Sequence, residues 1–482
     1  MHLKGKQIAI ALSALAVSGL TASLSFPAAA QGYYGGGYSG GGRYTVQSAP
    51  ANPQPRRTVK PRTPREAQAS PKSQRTRSAN RPVPGVDEPV QPPAGARQTS
   101  GLPPAGERRF ISNEVVIEVA GRPSQQEVEA LARRHSLNRQ ESQTFELSGT
   151  TMFRWNIPDG RNVATVIRSL EADRTILSVQ PNYRYILQQS KNADGIQYAV
   201  DKLRLPRAHE IARGNRILIA VIDSGIDADH PELRGTVEDS FDPVGGDGAP
   251  HAHGTSIAGA IVARSKLTGV APNARILAVR AFDPVSGSAE GTTFSILKGL
   301  EWAAGKGARV INMSFAGPKD PIMARVLAAA NKRGIVLIAA AGNAGVKSPP
   351  LFPASDPNVI AVTATDLNDK LFQGSNRGHH VAVAAPGVNV LLPVPGGGYG
   401  MTTGTSFAAA HVSGIAALLL ELEPELKPDA VRRVLLSTAR DLGPAGRDKD
   451  FGAGLADAFE ALRSIGGRSD AVAGGTTQGG GR

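Results

Sequence analysis

The chain has 482 residues, 40% of them hydrophobic and 20% charged, with 55 Gly, 35 Pro and no Cys. That length holds two or three domains, and the Gly and Pro content predicts an unfolded stretch somewhere along it. The missing Cys excludes a disulfide scaffold, a thiolate zinc site, an iron–sulfur cluster and a cysteine nucleophile. The net charge of +13 points to an anionic partner only if it sits on a folded part.

Residues 1–30 read as a secretory signal: Lys4 and Lys6 near the start, an apolar stretch from Ile8 to Leu24, and Ala28-Ala29-Ala30 before Gln31. The competing reading is an uncleaved anchor, since the apolar stretch nearly reaches spanning length. Residues 31–106 are low-complexity, Gly/Tyr-rich and then Pro/Arg-rich, with eleven Lys and Arg against three Asp and Glu. The basic character therefore belongs to a disordered linker. Two readings stand for it, a solvated spacer or electrostatic contact with anionic envelope material. No motif for reading nucleic acid accompanies it, so no nucleic-acid partner is expected.

Residues 107–190 change to structured patterning. NEVVIEV reads as a strand, SQQEVEALARRH as a helix that Ser124 can cap, and QTFELSG with TTMFRWNI as a hairpin. NVATVIRSLEAD gives a second helix and ILSVQPNYRYIL a last strand. The order β-α-β-β-α-β is the small α+β ferredoxin-like arrangement, which by itself carries no function.

From residue 198 to 463, RILIAVI, RILAVRAF, RVINMSF, IVLIAAAG and NVIAVTAT are near-continuous apolar runs, the pattern of strands buried on both faces. FSILKGLEWAAGKG and PIMARVLAAANKRG lie between them with helical spacing and Gly stops. The expected fold is α/β, a doubly wound parallel sheet whose active residues gather at the carboxyl ends of strands. Residues 466–482 read as a disordered Gly-rich tail.

Three segments sit at such strand-to-helix junctions: AVIDSGIDADHPEL with Asp223, HAHGTSIAGAIV with His253, and GTSFAAAHVSGIAALLL with Ser406. Singly, each residue could be a cap or a helix-start residue. Together they supply an acid, a base and a hydroxyl, the groups that serine attack on a carbonyl needs. His251, two residues before His253, could suggest a metal pair, but no third ligand cluster follows. No metal and no other cofactor is expected. His379, His380 and His411 read as structural or surface residues.

DSGID, HGTSIAG, NMSFAG, AAAGNAG, APGV and GTSFAAAHVSG, in that order, resemble the signature segments of the subtilisin-like serine peptidases. The resemblance covers about residues 198–462. It implies a serine endopeptidase working through an acyl-enzyme, with Asp223 as orienting acid, His253 as general base and Ser406 as nucleophile. It implies an oxyanion hole from the Asn343 amide and the Ser406 N–H. It also implies a substrate pocket walled by Ser314, Phe315, Ala316, Gly317, Ala341 and Gly342 and closed by Leu351. Ala316 stands where many relatives have Gly, and Leu351 where a small residue is common, so small side chains are favoured there.

The resemblance further implies that residues 107–190 are a propeptide, acting as intramolecular chaperone and inhibitor of a self-processing zymogen. The alternative is a permanently attached accessory domain. The Asn-rich calcium loop of many secreted relatives has no counterpart after His253. Departures occur at Ser256, Phe407 and Ala409-Ala410, none of which removes a proton-transfer group. The expected protein is an exported, periplasmic or extracellular monomer acting on polypeptides; the rival is a catalytically silent binding protein of the same fold.

Overall fold

The structure, a computed structural model, describes residues 100–187, 190–191, 197–246, 248–285 and 288–473. The signal segment, the linker up to residue 99 and the tail beyond residue 473 lie outside the described residues. The N-terminal part contains β1 (Phe110–Ala120), α1 (Gln125–His135), β2 (Asn138–Phe145), β3 (Thr150–Asn156), α2 (Val163–Glu171) and β4 (Ser178–Ile186). The strand order β2-β3-β1-β4 is that of a ferredoxin-like sheet. Ser124 caps α1 and closes a reciprocal box with Glu127, while Asn162 caps α2. The segment expected as linker up to residue 106 already belongs to this domain at Ser100. Ser100 Oγ and Gly101 N both donate to Glu171 at the end of α2.

Alternation along β1 assigns its two faces to different neighbours. Val115 and Ile117 join Phe153, Trp155 and Val179 under α1 and α2. Val116 joins Phe145, Met152 and Tyr183 on the opposite face, in one apolar cluster with the following domain. The run VVI is apolar on both sides because the sheet is covered on both sides.

The second part opens with β5 (Ser190–Lys191), α3 (Ala199–Lys202) and α4 (Leu205–Ala208). It continues through β6 (Leu218–Asp223), β7 (Val237–Phe241), α5 (Ala252–Val262), β8 (Arg275–Arg280), β9 (Phe282–Val285), β10 (Ser288–Thr292) and α6 (Thr293–Gly305). Then follow β11 (Val310–Met313), α7 (Pro321–Lys332), β12 (Val336–Ala340), β13 (Val359–Thr365), β14 (Val381–Pro386), β15 (Val390–Val394) and β16 (Gly398–Thr403). Last come α8 (Thr405–Leu422), α9 (Pro428–Thr438) and α10 (Ala458–Ala473).

Seven strands pair in parallel in the order β14-β13-β12-β11-β6-β8-β7. Ile219 and Val221 of β6 face the cluster with α5, α8, α9 and α10, while Ala220 and Ile222 face α6 and α7. This is a doubly wound α/β domain. Its strand order reverses between β6 and β11, where ligands bind in such sheets. Helix α8 is apolar and long enough to cross a bilayer, yet 89% of it is buried inside the protein, as befits a core helix.

Helix α10 runs through Ala473 across Gly466 and Gly467, so residues 466–473, expected as tail, are helical. A helix already propagated by AFEALRSI can carry two Gly at about 1 kcal/mol each. The expected boundary at residue 190 is also crossed. β4 pairs antiparallel with β10, which pairs with β9, making one six-stranded sheet of both domains. β5 pairs with β16, Ser190 opposite Thr403 and Lys191 opposite Thr402.

Candidate active site

Asp223 ends β6 and is wholly buried. Its Oδ1 accepts from His253 Nδ1 at 2.8 Å and from Ser224 N at 2.8 Å. These bonds fix which imidazole nitrogen carries the proton and turn Nε2 the other way. His253 is the second residue of α5, whose cap is His251. His251 Nδ1 accepts from His253 N and lies 3.0 Å from Ser224 Oγ. The helix that carries His253 is thus tied to the strand end that carries Asp223. Gly254 N donates to the same Ser224 hydroxyl. A Cβ on Gly254 would lie 2.5 Å from Ser224 O, so only glycine lets the helix approach this closely.

Ser406 lies in the first turn of α8, 3% exposed. Phe407 packs against the His253 ring with centroids 5.5 Å apart, which sets this turn beside the imidazole. Ser406 Oγ donates to Ser314 O at 3.1 Å. Among the described residues His253 Nε2 has no hydrogen-bond partner and is buried. Asn343 follows β12 by three residues. Its Oδ1 accepts from Thr405 N at 3.0 Å and from the Thr405 hydroxyl at 2.7 Å, which ties the Asn343 amide to the first turn of α8. Gly342 beside it has φ +110, a conformation that side chains resist.

The segment 314–317 leaves the end of β11. Gly317 exchanges backbone bonds with Phe352, at 2.8 and 3.1 Å. Leu351 lies against Gly342, its Cδ1 3.1 Å from where a Cβ would stand. Ala341 continues β12 by donating to Val362 O. The chain leaving β4 runs between residues 314–317 and β10: Ile186 pairs antiparallel with Ala316, and Leu187 N donates to Ala289 O at 3.0 Å. The chain then pairs through Ser190 with Thr403, three residues before Ser406.

Residues 214–454, half of the chain, match the subtilase family of peptidases. The chain belongs to the subtilase family. It is a serine-type endopeptidase, and its substrates are polypeptides. An alkaline protease of Alkalihalobacillus alcalophilus is 34% identical over 302 residues, 60% of this chain and 77% of that protein. Subtilisin E of Bacillus subtilis (strain 168) is 36% identical over 282 residues, 55% of this chain and 73% of that protein. Among solved structures, fervidolysin from Fervidobacterium pennivorans, a keratinolytic enzyme related to subtilisin, aligns with TM-score 0.66 and 26% identity. That match covers 75% of this chain and 62% of fervidolysin.

Several residues around this subtilase site escape sequence reasoning. Asn312 Nδ2 donates to Ser314 Oγ at 2.8 Å, and Ser413 Oγ donates to Asn312 Oδ1 at 3.0 Å. Thr405 holds Asn343 and also accepts from Gly342 N. A polar residue inside the apolar run RVINMSF is the one signal that pointed to Asn312. His411 is buried in α8, its Nδ1 donating to Pro386 O, and burial pushes its imidazole down to about 4.

Proposed function

We propose that this subtilase cuts polypeptides through an acyl-enzyme formed on Ser406, with His253 as general base and Asp223 as its orienting acid. The observation that carries the reading is the buried 2.8 Å bond from His253 Nδ1 to Asp223 Oδ1 beside the first turn of α8. It leaves Nε2 as the basic nitrogen, and a rotamer change at Ser406 χ1 would move Oγ away from Ser314 O. Oγ attacks the scissile carbonyl carbon while its proton passes to Nε2. The C–N bond then breaks as that proton passes to the leaving amine. Water, deprotonated in turn by Nε2, hydrolyses the ester and restores Ser406. The Asn343 amide and the Ser406 N–H are the donors for the developing oxyanion. Leu351 against Gly342 narrows the first pocket and favours Ala or Val on the acyl side.

The N-terminal domain is read as a propeptide that the enzyme cuts away from itself. Its last strand runs between β10 and residues 314–317, and the chain passes Thr403 on leaving. A bond between Leu187 and Ser190, on the stretch that joins Ile186 opposite Ala316 to Ser190 opposite Thr403, is then the first substrate. Tethering gives that bond an effective concentration no outside substrate matches. The match to fervidolysin supports the pairing of domains, because 75% of this chain is more than residues 197–482 can supply. Residues 1–30 suit export, and the basic segment read over residues 31–106 suits contact with anionic envelope material. A fluorophosphonate probe tests the chemistry: wild type is labelled at Ser406 once the N-terminal domain is released. A silent binding protein stays unlabelled.

A further inference from the structure

Tyr185 lies on β4 two residues before Leu187, and its side chain is fully buried among peptidase residues. Its ring stands edge-on to Phe315 with centroids 5.7 Å apart. Across the strand pair it faces Gly291 of β10. Gly317 leaves the ring its space, since a Cβ there would lie 2.2 Å from Tyr185 Cδ1. At the floor of this pocket the Tyr185 hydroxyl donates to Asp320 Oδ2 at 3.0 Å. The same oxygen accepts from the Thr293 hydroxyl at 2.7 Å. The other oxygen, Oδ1, caps α7 through Met323 N at 2.8 Å.

Capping α7 needs one oxygen and is served as well by Ser or Asn. It does not explain a second, wholly buried carboxylate oxygen aimed by Thr293 at the tip of an aromatic ring. We propose that Asp320 reads the hydroxyl of a tyrosine, so that the enzyme selects polypeptides with Tyr rather than Phe at the place Tyr185 occupies. This rests on the reading that the chain leaving β4 is the enzyme's first substrate and is cut between Leu187 and Ser190. Tyr185 is then the third to fifth residue before the cut bond. In the open pocket water can solvate Oδ2. A phenylalanine displaces that water and returns no bond, whereas tyrosine replaces it with one. A site built around a substrate hydroxyl rejects the analogue lacking it far more strongly than an apolar pocket rejects a missing methylene. Burial, with Asp320 nearby, holds the Tyr185 phenol well above its ordinary range, so it keeps the proton it donates.

The test uses two peptides of the chain's own sequence, residues 181–194, one native and one with Tyr185→Phe. The enzyme is purified from the full-length chain, and mass spectrometry identifies the cut bond. The expected kcat/KM ratio of the Tyr to the Phe peptide is roughly 10 to 100 for a charge-assisted bond in a buried site. In Asp320→Ser, which keeps a cap but cannot reach the ring, the ratio falls to within about threefold of unity. In Asp320→Asn, which keeps cap and shape but loses the charge, it falls to an intermediate value. Equal cutting of both peptides by wild type between residues 187 and 190 overturns the proposal and leaves the first-substrate reading standing. So does a ratio unchanged in both variants. Hydrolysis of other peptides with no cut between residues 187 and 190 of the native one overturns both.

Discussion

The hydroxyl of Ser406 donates to the carbonyl of Ser314, and the hydroxyl of Ser314 donates back to the carbonyl of Ser406 at 3.0 Å. The exchange joins the first turn of α8 to the end of β11, across the place where the sheet order reverses. Asn312 and Ser413 extend it into the core, each wholly buried. Ser314→Ala leaves two buried partners, Asn312 Nδ2 and Ser406 O, without their bonds. The expected cost is about 1–3 kcal/mol of stability, with a fall in kcat as the turn carrying Ser406 loosens. Denaturant melts and peptide kinetics check it; a variant equal to wild type in both removes the network from the account.

His411 sits in the same helix, five residues beyond Ser406, and burial holds its imidazole down at about 4. Between the ordinary value near 6.5 and that value, the unfolded chain binds a proton that the folded protein refuses. Stability is therefore full above about pH 6.5 and is lost as pH falls toward 4, by an amount of order 3 kcal/mol. Denaturation midpoints at pH 7 and pH 4.5, measured in Ser406→Ala to suppress proteolysis, give the slope. Adding His411→Gln flattens it. Equal slopes in the two proteins would assign the acid sensitivity elsewhere.

Glu232 closes the loop after α5 with its own side chain. It accepts from Ser265 N at 2.8 Å, Lys266 N at 2.7 Å, Leu267 N at 3.1 Å and the Tyr399 hydroxyl at 2.8 Å. Burial alone would raise this carboxyl, but these donors outweigh it and hold it below its ordinary value. Its contribution is present above the ordinary glutamate range and is lost as pH falls through the depressed value. With the loop anchored by protein donors, EDTA moves Tm by less than about 2 °C, whereas Glu232→Gln costs about 2 kcal/mol. A large fall in Tm with EDTA, restored by calcium, would contradict this.

Much of this was legible in the sequence, because buried parallel strands announce themselves as apolar runs. Asp223 ends one of them, whereas His253 lies in α5, which starts eleven residues past β7, and Ser406 opens α8 after β16, a strand outside that sheet. Of these three, the expected gathering at strand ends of one sheet holds for Asp223 alone. β10 was not legible. SAEGT has no strand periodicity, and it is held as a strand between β9 and β4 of the other domain. The second face of β1 was equally hidden: Val116 is apolar for the sake of α6 and α7, which the local pattern does not mention. Tyr185 looked like any residue of an alternating strand, and only its burial against Phe315 and Asp320 separates it from Tyr183. The edge strand β7, VEDSF, is half-exposed and polar, so its pairing with β8 leaves little trace in hydrophobicity.

The account rests on Ser406 cutting the chain that leaves β4, and the N-terminus of the purified protein tests that most directly. Wild-type and Ser406→Ala chains are expressed and purified identically, and intact mass with N-terminal sequencing locates any cut. The account predicts a wild type cut at one bond between Leu187 and Ser190, with the N-terminal domain at first retained through Tyr185 and its neighbours. It predicts a Ser406→Ala chain with that bond intact. A Ser406→Ala chain cut at the same bond would contradict it, because another protease would then be doing the work.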